Sequence, residues 1–445
     1  MHLVIVGGSD AGISAALRAR EVAPDTDVTV VVADRFPHFS ICGIPYHVAG
    51  DVPRWQSLAH RGVPELEATG MRLRLDTVAR SIDPARRRLT VGDGAEIPYD
   101  ELIIGTGAAP VRPRIDGLDR LGPADGVFLL HTMADTFALT EALDRGPTSA
   151  LIVGAGYIGV EMVEALSARG LQVIQVEALP EVLPTVDPEL GELVRQRIEK
   201  AGVDVVTGVT VSSVRQESRL VVEGSAGFRR EVDLVLVVVG VRPDTELART
   251  AGVDLGVRGA IAVDRSMRTN VPHVWAAGDC VVTHHRLLGE TYLPLGTTAH
   301  KQGRVAGENA VGGSREYAGS LGSQVVKVFD LVVGRTGLRD AEAVSAGFDP
   351  RTTAATADDH KAYYPGAEPI AMRWTGGVQS GRLLGVQLVG RLGSEIAKRV
   401  DIAATAIHCG LSMDDISDLD LTYTPPLGSP WDAMQLGAQA WERTR

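Results

Sequence analysis

The sequence predicts an α/β protein that contains two parallel sheets of the same design. Residues 2–21 and 150–169 share one pattern, in which a β-branched run leads through a glycine-rich turn into a helix of small residues. A further β-branched run follows each of them, at 28–32 and at 173–176. Strand–helix–strand alternation is typical of parallel sheets, so the repeated pattern predicts two of them.

The pattern changes from about residue 324 onward, where a third, α+β unit is predicted. Apolar runs at 325–329, 371–374 and 383–389 favour an antiparallel sheet, and 395–408 is typical of a helix. Three further β-like runs precede this region, at 101–104, 232–239 and 274–276.

Composition excludes several classes of protein. The 445 residues are 44% hydrophobic and 22% charged, as in soluble globular proteins, and the length predicts two or three domains. The net charge of −12 disfavours nucleic acid and anionic membranes as partners. No apolar run is long enough to cross a bilayer or to form a signal peptide. Three distant cysteines form no zinc pattern or disulfide framework. We therefore expect a cytoplasmic enzyme without a metal.

The second glycine turn predicts a nicotinamide dinucleotide site. Gly154, Gly156 and Gly159 have the spacing that lets backbone amides approach a pyrophosphate at a helix N-terminus. Glu177 ends the next strand 18 residues after Gly159. A carboxylate there can bind a ribose 2′-hydroxyl and repel a 2′-phosphate, which favours NADH over NADPH. The alternative is that Glu177 is a surface residue after a strand.

The first glycine turn matches the same motif less completely. Ser9 stands where the second glycine is expected, Val32 stands near the expected acidic position, and Asp34 follows two residues later. Asp34 is interpreted either as a ligand of an adenosine ribose or as a solvated loop carboxylate. Two strand-end turns, at 105–107 and at 277–279, support a second nucleotide site, because Asp279 can accept a hydrogen bond from a ribityl hydroxyl of FAD.

Together these motifs resemble the pyridine nucleotide–disulfide oxidoreductase family over nearly the whole chain. The turns at 7–12, 105–107 and 277–279 are similar to its FAD motifs, and those at 154–159 and 240–243 to its NAD motifs. One cysteine, Cys42, stands in Ser-Ile-Cys-Gly-Ile-Pro-Tyr, which resembles the coenzyme A disulfide reductases and NADH oxidases rather than the two-cysteine reductases.

The resemblance implies an FAD domain (1–117 and 250–323), an NAD(P) domain (118–249) and a dimerisation domain (324–445). It implies a homodimer that uses FAD and NADH, with NADPH possible. Cys42 would be the redox residue, Tyr363 or Tyr364 would lie near its sulfur, and Tyr423 would come from the partner subunit. The implied cofactor-binding residues are Gly7, Gly8, Ser9, Gly12, Asp34, Gly105, Thr106, Gly107, Gly154, Gly156, Tyr157, Ile158, Gly159, Glu177, Gly240, Gly278, Asp279, Thr298 and Ala299.

Several positions leave the substrate open. Arg18 matches a basic helix that meets coenzyme A phosphates in relatives, or belongs to an exposed helix face. His38 replaces a serine four residues before Cys42, while Ser40 lies two before it, and we treat both as candidate substrate ligands. Asp10 stands where peroxidase-like relatives carry a histidine.

Four functions are compatible with these residues. The first is reduction of a small disulfide or persulfide, similar to coenzyme A disulfide, through a Cys42 thiolate held by nearby positive dipoles. The second is an NADH oxidase or peroxidase with a sulfenic acid at Cys42. The third is electron transfer from flavin to a carrier protein, with Cys42 incidental, and the fourth is a redox-sensing flavoprotein.

Overall fold

A computed structural model describes residues 1–444 of the chain. Its helices are α1 (Asp10–Val22), α2 (Ile44–Ala49), α3 (Val63–Glu67), α4 (Met133–Asp144), α5 (Tyr157–Ala168), α6 (Pro188–Lys200), α7 (Glu246–Thr250), α8 (Gly296–Ala310), α9 (Asp340–Ser345), α10 (Ile396–Cys409), α11 (Met413–Ser417) and α12 (Ala433–Glu442). Its strands are β1 (His2–Val6), β2 (Asp27–Val31), β3 (Met71–Arg74), β4 (Ala79–Asp83), β5 (Arg88–Val91), β6 (Glu96–Pro98), β7 (Glu101–Ile104), β8 (Ala108–Pro110), β9 (Val127–Leu129), β10 (Ser149–Val153), β11 (Gln172–Val176), β12 (Asp204–Val206), β13 (Val211–Gln216), β14 (Leu220–Gly224), β15 (Arg229–Val232), β16 (Leu234–Val237), β17 (Val241–Pro243), β18 (Val274–Ala276), β19 (Thr283–His285), β20 (Gly289–Thr291), β21 (Gln324–Val328), β22 (Leu331–Gly337), β23 (Pro350–Asp358), β24 (Pro369–Gly377) and β25 (Leu383–Arg391).

The first parallel sheet has the strand order β18-β7-β1-β2-β3 and carries α1 and α8 on one face. These two helices approach closely because glycines line their contact. A Cβ on Gly303 would lie 2.2 Å from the carbonyl oxygen of Ala11, and one on Gly307 would lie 2.2 Å from that of Ala15. The small residues therefore bring the N-terminal turns of α1 and α8 together at the carboxyl ends of the strands.

The second parallel sheet has the order β12-β11-β10-β16-β9, with α5 following β10. Its central strand, β10, is buried at every residue, as expected for a parallel strand covered on both faces. The predicted strand at 232–239 is interrupted in the structure. Asp233 separates β15 from β16, and its carboxylate accepts hydrogen bonds from the amides of Thr148 (2.8 Å) and Ser149 (3.0 Å).

The third sheet is antiparallel, with the order β21-β22-β25-β24-β23, and α10 and α12 pack against it. Trp374 of β24 and Trp441 of α12 are fully buried between them. A Cβ on Gly437 would lie 2.0 Å from the indole nitrogen of Trp374, so glycine lets α12 pack directly on the sheet. This confirms the predicted antiparallel sheet and adds two strands, β22 and β23, that the apolar runs did not indicate.

The whole is therefore an α/β fold with two Rossmann-like parallel sheets and a C-terminal antiparallel unit, as the sequence predicted. Within the described part of the chain, no helix combines the length and apolar character that a membrane span requires.

Candidate active site

The first glycine turn joins β1 to α1 and is built around two backbone contacts. Gly7 has a φ of +115°, and a Cβ there would lie 2.0 Å from the carbonyl oxygen of Gly105. A Cβ on Gly12 would lie 1.9 Å from the carbonyl oxygen of Gly7. Ser9 is the N-cap of α1 without a side-chain capping bond, so the helix amides remain free for an anion. The turn fits a pyrophosphate.

A buried carboxylate faces this turn from the end of β18. Gly278 has a φ of +91° and abuts Ala11, and Asp279 follows it. The Oδ1 atom of Asp279 is buried and has no hydrogen-bond partner in the protein. Burial, with the nearby Asp10 charge, raises the pKa of Asp279 to about 6. An unpaired buried acceptor needs a donor, and a ribityl hydroxyl of FAD supplies one.

The remaining residues of the predicted FAD site come from α8, the turn after β7 and the loop after β2. Thr298 and Ala299 are buried in the first turn of α8. A Cβ on Gly278 would lie 3.7 Å from that of Ala299, so this turn of α8 lies against the turn that carries Asp279. The hydroxyl of Thr106, which lies between Gly105 and Gly107, donates to the carbonyl oxygen of Asp244 (2.6 Å), directly after β17. Asp34 accepts a hydrogen bond from the amide of Phe36 (2.8 Å), so this carboxylate shapes its own loop. Its predicted ribose contact stays a prediction.

The second glycine turn joins β10 to α5 and repeats the first. Gly154 has a φ of +107°, and a Cβ on Gly159 would lie 2.2 Å from the carbonyl oxygen of Gly154. Gly156, by contrast, has no atom within 4 Å of the position of an added Cβ. The carboxylate of Glu177 is buried and accepts hydrogen bonds from the amides of Ala155 (2.7 Å) and Leu179 (2.9 Å). Glu177 thus stabilises the backbone of the glycine turn by these two hydrogen bonds. The conformation of the turn fits a dinucleotide.

Two side chains and one glycine complete the predicted NAD site. Tyr157 begins α5, and its hydroxyl is buried without a hydrogen-bond partner. Ile158, beside it, packs partly buried against the main core of the NAD-type sheet. Gly240 has a φ of +106°, and its carbonyl oxygen accepts from the amide of Val111 (2.9 Å) where the two sheets are connected. The cofactor-binding role implied for Tyr157 stays a prediction.

Cys42 lies in a short 3-10 helix, Ile41–Gly43, that leads directly into α2. Its side chain is exposed, unlike that of Cys280, which is buried at the end of β18. Crowding by protein atoms raises the pKa of the Cys42 thiol, and the charges of Glu161 and Asp10 add to this. The sequence led us to expect a lowered pKa for the Cys42 thiol, whereas the surrounding protein atoms raise it. Without further groups, the protein therefore favours the neutral thiol over the thiolate.

A hydrogen bond joins the segment of Cys42 to the NAD-type helix. The hydroxyl of Tyr46, on α2, donates to Glu161 of α5 (3.3 Å). Burial and the charge of Glu164 raise the pKa of Glu161 to about 7, although Tyr46 and Lys327 oppose the shift. The sequence motifs assigned no role to Tyr46 or Glu161. The available signal was the position of Glu161 two residues after Gly159, on the helix face toward α2.

The candidate substrate ligands lie in different environments. His38 is buried, and burial together with neighbouring positive charge lowers its pKa to about 4. Ser40 is half-buried, and its amide donates to the carbonyl oxygen of Leu58 (2.8 Å). The guanidinium of Arg18 is paired with Glu308 (2.7 Å) as well as Glu21, so it links α1 to α8 instead of pointing freely to solvent.

The three predicted tyrosines lie in the C-terminal antiparallel unit. Tyr363 is 72% exposed, and a hydrogen bond with it raises the pKa of Tyr423. Tyr364 stacks edge-on with His360 at 5.8 Å. Within residues 1–444, the hydrogen bonds and ring contacts of these tyrosines are with this unit and not with Cys42. Exposed apolar side chains, Leu427 and Trp431, lie along the same C-terminal segment.

Comparison with known proteins defines the class. The model of the family described as pyridine nucleotide-disulphide oxidoreductase matches residues 1–303, and that of the dimerisation domain of this family matches residues 323–434. The chain belongs to this family of oxidoreductases, which use FAD and NAD(P)H.

Several relatives match this chain over nearly its full length. A protein of Pyrococcus furiosus named NAD(P)H sulfur oxidoreductase (CoA-dependent) is 34% identical over 97% of both chains. The structure of an NAD-dependent persulfide reductase from A. fulgidus has a TM-score of 0.95 and 34% identity, and the match covers 100% of this chain and 83% of that one. A water-forming NADH oxidase from Lactobacillus brevis has a TM-score of 0.94 and 28% identity, with 100% and 98% covered.

Proposed function

We propose that the protein reduces a small-molecule disulfide or persulfide, similar to coenzyme A disulfide, with NAD(P)H as the reductant and Cys42 as the redox residue. One observation carries the proposal: the exposed Cys42 lies close enough to Asp10 and Asp279 of the FAD-type segments, and to Glu161 of the NAD-type helix, for all three charges to raise the pKa of its thiol. The named relatives, 34% identical, include sulfur and persulfide reductases.

The chemistry assigned to Cys42 is thiol–disulfide exchange. Bound FAD supplies the relay by which the two electrons of the NAD(P)H hydride reach this sulfur. The Cys42 thiolate attacks one sulfur of the substrate disulfide, its S–S bond breaks, and one thiol leaves after it gains a proton. Cys42 is then a mixed disulfide, and two electrons and a proton return it to the thiolate while the second thiol is released.

The proton balance at Cys42 depends on the carboxylates around it. Burial raises the pKa of Glu161 to about 7, so at neutral pH its negative charge opposes the thiolate less than that of an ordinary, fully ionised carboxylate does. Tyr46 fixes the orientation of that carboxyl toward α2. The proton for the leaving thiol is assigned to a tyrosine hydroxyl, for which Tyr363, Tyr364 and Tyr423 are the candidates.

The site is proposed to be completed by a second copy of the chain. The three tyrosines are exposed and contact their own antiparallel unit, which matches a dimerisation domain. A homodimer would bring Tyr423 of one subunit to Cys42 of the other. The domain limits 1–117 with 250–323 for FAD, 118–249 for NAD(P) and 324–445 for dimerisation belong to the same proposal.

A second candidate is an NADH oxidase, in which Cys42 cycles through a sulfenic acid and passes electrons to oxygen or peroxide. It is favoured by relatives of that name, including one from Methanocaldococcus jannaschii that is 31% identical over 99% of this chain.

Anaerobic titration with NADH tests whether Cys42 takes up electrons, and reoxidation of the reduced enzyme by disulfide or by air then separates the two functions. FAD takes up two electrons, and an oxidised Cys42 takes up two more, so the proposal predicts two NADH per chain for the wild type and one for Cys42→Ser. With coenzyme A disulfide as substrate, we expect Cys42→Ser to reduce turnover at least about a hundredfold, the loss of a nucleophile. Cys409→Ser is the matched control, because Cys409 is also exposed but lies at the end of α10.

Each other outcome has a definite meaning. Rapid reoxidation by air but not by the disulfide would establish the oxidase. Normal disulfide turnover in Cys42→Ser would exclude the cysteine mechanism, and a carrier protein would then be the acceptor to test. Absence of turnover with every acceptor would support the redox sensor.

A further inference from the structure

A cluster of imidazoles lies beside the first glycine turn, and neither the proposed reaction nor the cofactor sites use it as a whole. His60 and His38 face each other across a short antiparallel bridge, where the amide of His60 donates to the carbonyl oxygen of His38 (2.9 Å). Their ring centroids are 5.1 Å apart, and the ring of His300 lies 6.2 Å from that of His60. Asp10, in the first turn of α1, completes the cluster.

Three of these side chains converge on one point. One ligand atom each from Asp10, His60 and His300 lies within 4.8 Å of the other two. The distance from Nε2 of His300 to Oδ1 of Asp10 is 3.4 Å. This is longer than an optimal hydrogen bond. It equals the edge of a tetrahedron with metal–ligand distances of about 2.1 Å, which is about 3.4 Å.

The contacts of His300 allow the tautomer that a metal ligand needs. Its Nδ1 lies 2.8 Å from the hydroxyl oxygen of Ser14, one turn further along α1. Donation from Nδ1 to that oxygen leaves the Nε2 lone pair directed at Asp10, and such outer hydrogen bonds commonly orient metal-binding histidines. The side chains of His300 and Asp10 are 40% and 24% exposed, so a cation can reach them from solvent.

An unpaired nitrogen next to the three ligands is a second, independent observation. His38 is 3% exposed, and its Nδ1 is buried without any hydrogen-bond partner. Its backbone has a φ of +61°, a conformation uncommon for residues other than glycine. A buried polar atom of this kind needs a partner, and a ligand of a bound ion, such as water, would supply one.

We propose that Asp10, His60 and His300 form a site for one divalent cation of the Zn²⁺ type. Two imidazoles and one carboxylate are ligands that zinc prefers, and three protein ligands leave a fourth position for water or another small ligand. The sequence predicted no metal because the three ligands come from separate segments, the start of α1, the loop before α3, and α8. The site does not depend on the identity of the substrate.

Calorimetric titration of the FAD-loaded enzyme with ZnCl₂ tests the site. We expect one Zn²⁺ per chain in the wild type. His60→Ala and His300→Ala should each weaken binding at least about tenfold, because even outer-shell changes at zinc sites cost 10–100-fold. His408→Ala is the matched control, since His408 is an exposed histidine on α10 and should leave binding unchanged.

Cys42→Ser distinguishes this site from zinc bound directly to the redox thiol. Retention of binding in Cys42→Ser together with its loss in His60→Ala supports the proposal. The proposal is wrong if the FAD-loaded wild type binds no Zn²⁺, if His60→Ala and His300→Ala bind as the wild type does, or if only Cys42→Ser loses binding. His60→Ala changes an exposed loop residue, so the test stands even if His300→Ala folds poorly.

Discussion

The two glycine turns share one backbone plan and differ in the side chains that support it. In each, the first glycine has a left-handed φ, +115° at Gly7 and +107° at Gly154. In each, the last glycine lies so close to the first that a Cβ would come within 1.9 Å (Gly12) or 2.2 Å (Gly159) of its carbonyl oxygen. The middle position tolerates change, because no atom lies within 4 Å of a Cβ added to Gly156. This explains why Ser9 can stand at the corresponding position.

The difference lies one residue after the first glycine. A Cβ on Gly8 would lie 2.7 Å from both methyl groups of Val32, whereas Ala155 carries a Cβ and its amide donates to Glu177. Val32 and Glu177 occupy the same place after β2 and β11. The first turn is therefore supported by apolar packing and the second by a buried carboxylate. The outer glycines are required by the backbone conformation of the turn. The residue that follows the next strand, Val32 or Glu177, determines whether the turn is stabilised by apolar packing or by hydrogen bonds.

We expect the largest loss of cofactor binding from a substitution at an outer glycine, which both turns require. Gly12→Ala places a methyl group against the carbonyl of Gly7, and overpacking of this kind costs about 1–3 kcal/mol, or roughly 5- to 150-fold in FAD affinity. The ratio of flavin absorbance to protein absorbance after purification measures the FAD content. Ser9→Gly, which restores the missing glycine, should keep its FAD. Full FAD occupancy in Gly12→Ala would show that the turn can open without loss.

The sequence predicted the structure best where a residue type is required by the local backbone conformation. The outer glycines and their strands could be predicted because a left-handed φ or a backbone contact demands glycine wherever it occurs. The environment of Cys42 could not, since Asp10, Glu161 and Asp279 are far apart in sequence and meet only through the packing of α1, α5 and β18. Val32 illustrates the same limit: it occupies the position expected for an acid, but only the contact with Gly8 shows what it does instead.

The buried carboxylates of the predicted NAD and FAD sites, Glu177 and Asp279, differ in their hydrogen bonds. Glu177 is satisfied by two amides, but Oδ1 of Asp279 is unpaired, and the pKa of Asp279 is about 6. A hydroxyl donated by FAD favours the ionised form, so the FAD-bound pKa should lie below that value. FAD affinity is then full above pH 6 and falls below it, by at most about tenfold per pH unit. Dialysis of the loaded enzyme across this range measures the slope. Asp279→Asn should remove it, and an unchanged slope would exclude this role.

Removing Glu177 tests the polar support of the second turn. Glu177→Ala leaves the amides of Ala155 and Leu179 without their acceptor, and a buried unsatisfied group costs about 1–3 kcal/mol. We expect the NADH concentration for half-maximal flavin reduction to rise roughly tenfold. The predicted preference for NADH over NADPH should narrow, because the carboxylate expected to repel a 2′-phosphate is gone. Rapid-mixing kinetics with both nucleotides measure this. Glu192→Ala, an exposed carboxylate on α6, should change neither value.

We expect the smallest change in cofactor affinity at the position where one turn has Gly8 and the other has Ala155, a difference of one methyl group. Gly8→Ala should weaken FAD binding because its Cβ meets Val32. If that contact is the cause, Val32→Ala in the same chain makes room, and a double-mutant cycle on the FAD dissociation constant should give a favourable coupling of about 1 kcal/mol. The reverse change in the second turn, Ala155→Gly, keeps the amide that donates to Glu177 and should leave NADH affinity nearly unchanged. Additive losses in the first cycle would mean that Val32 does not restrict position 8, and the contrast between apolar and polar support would then fail.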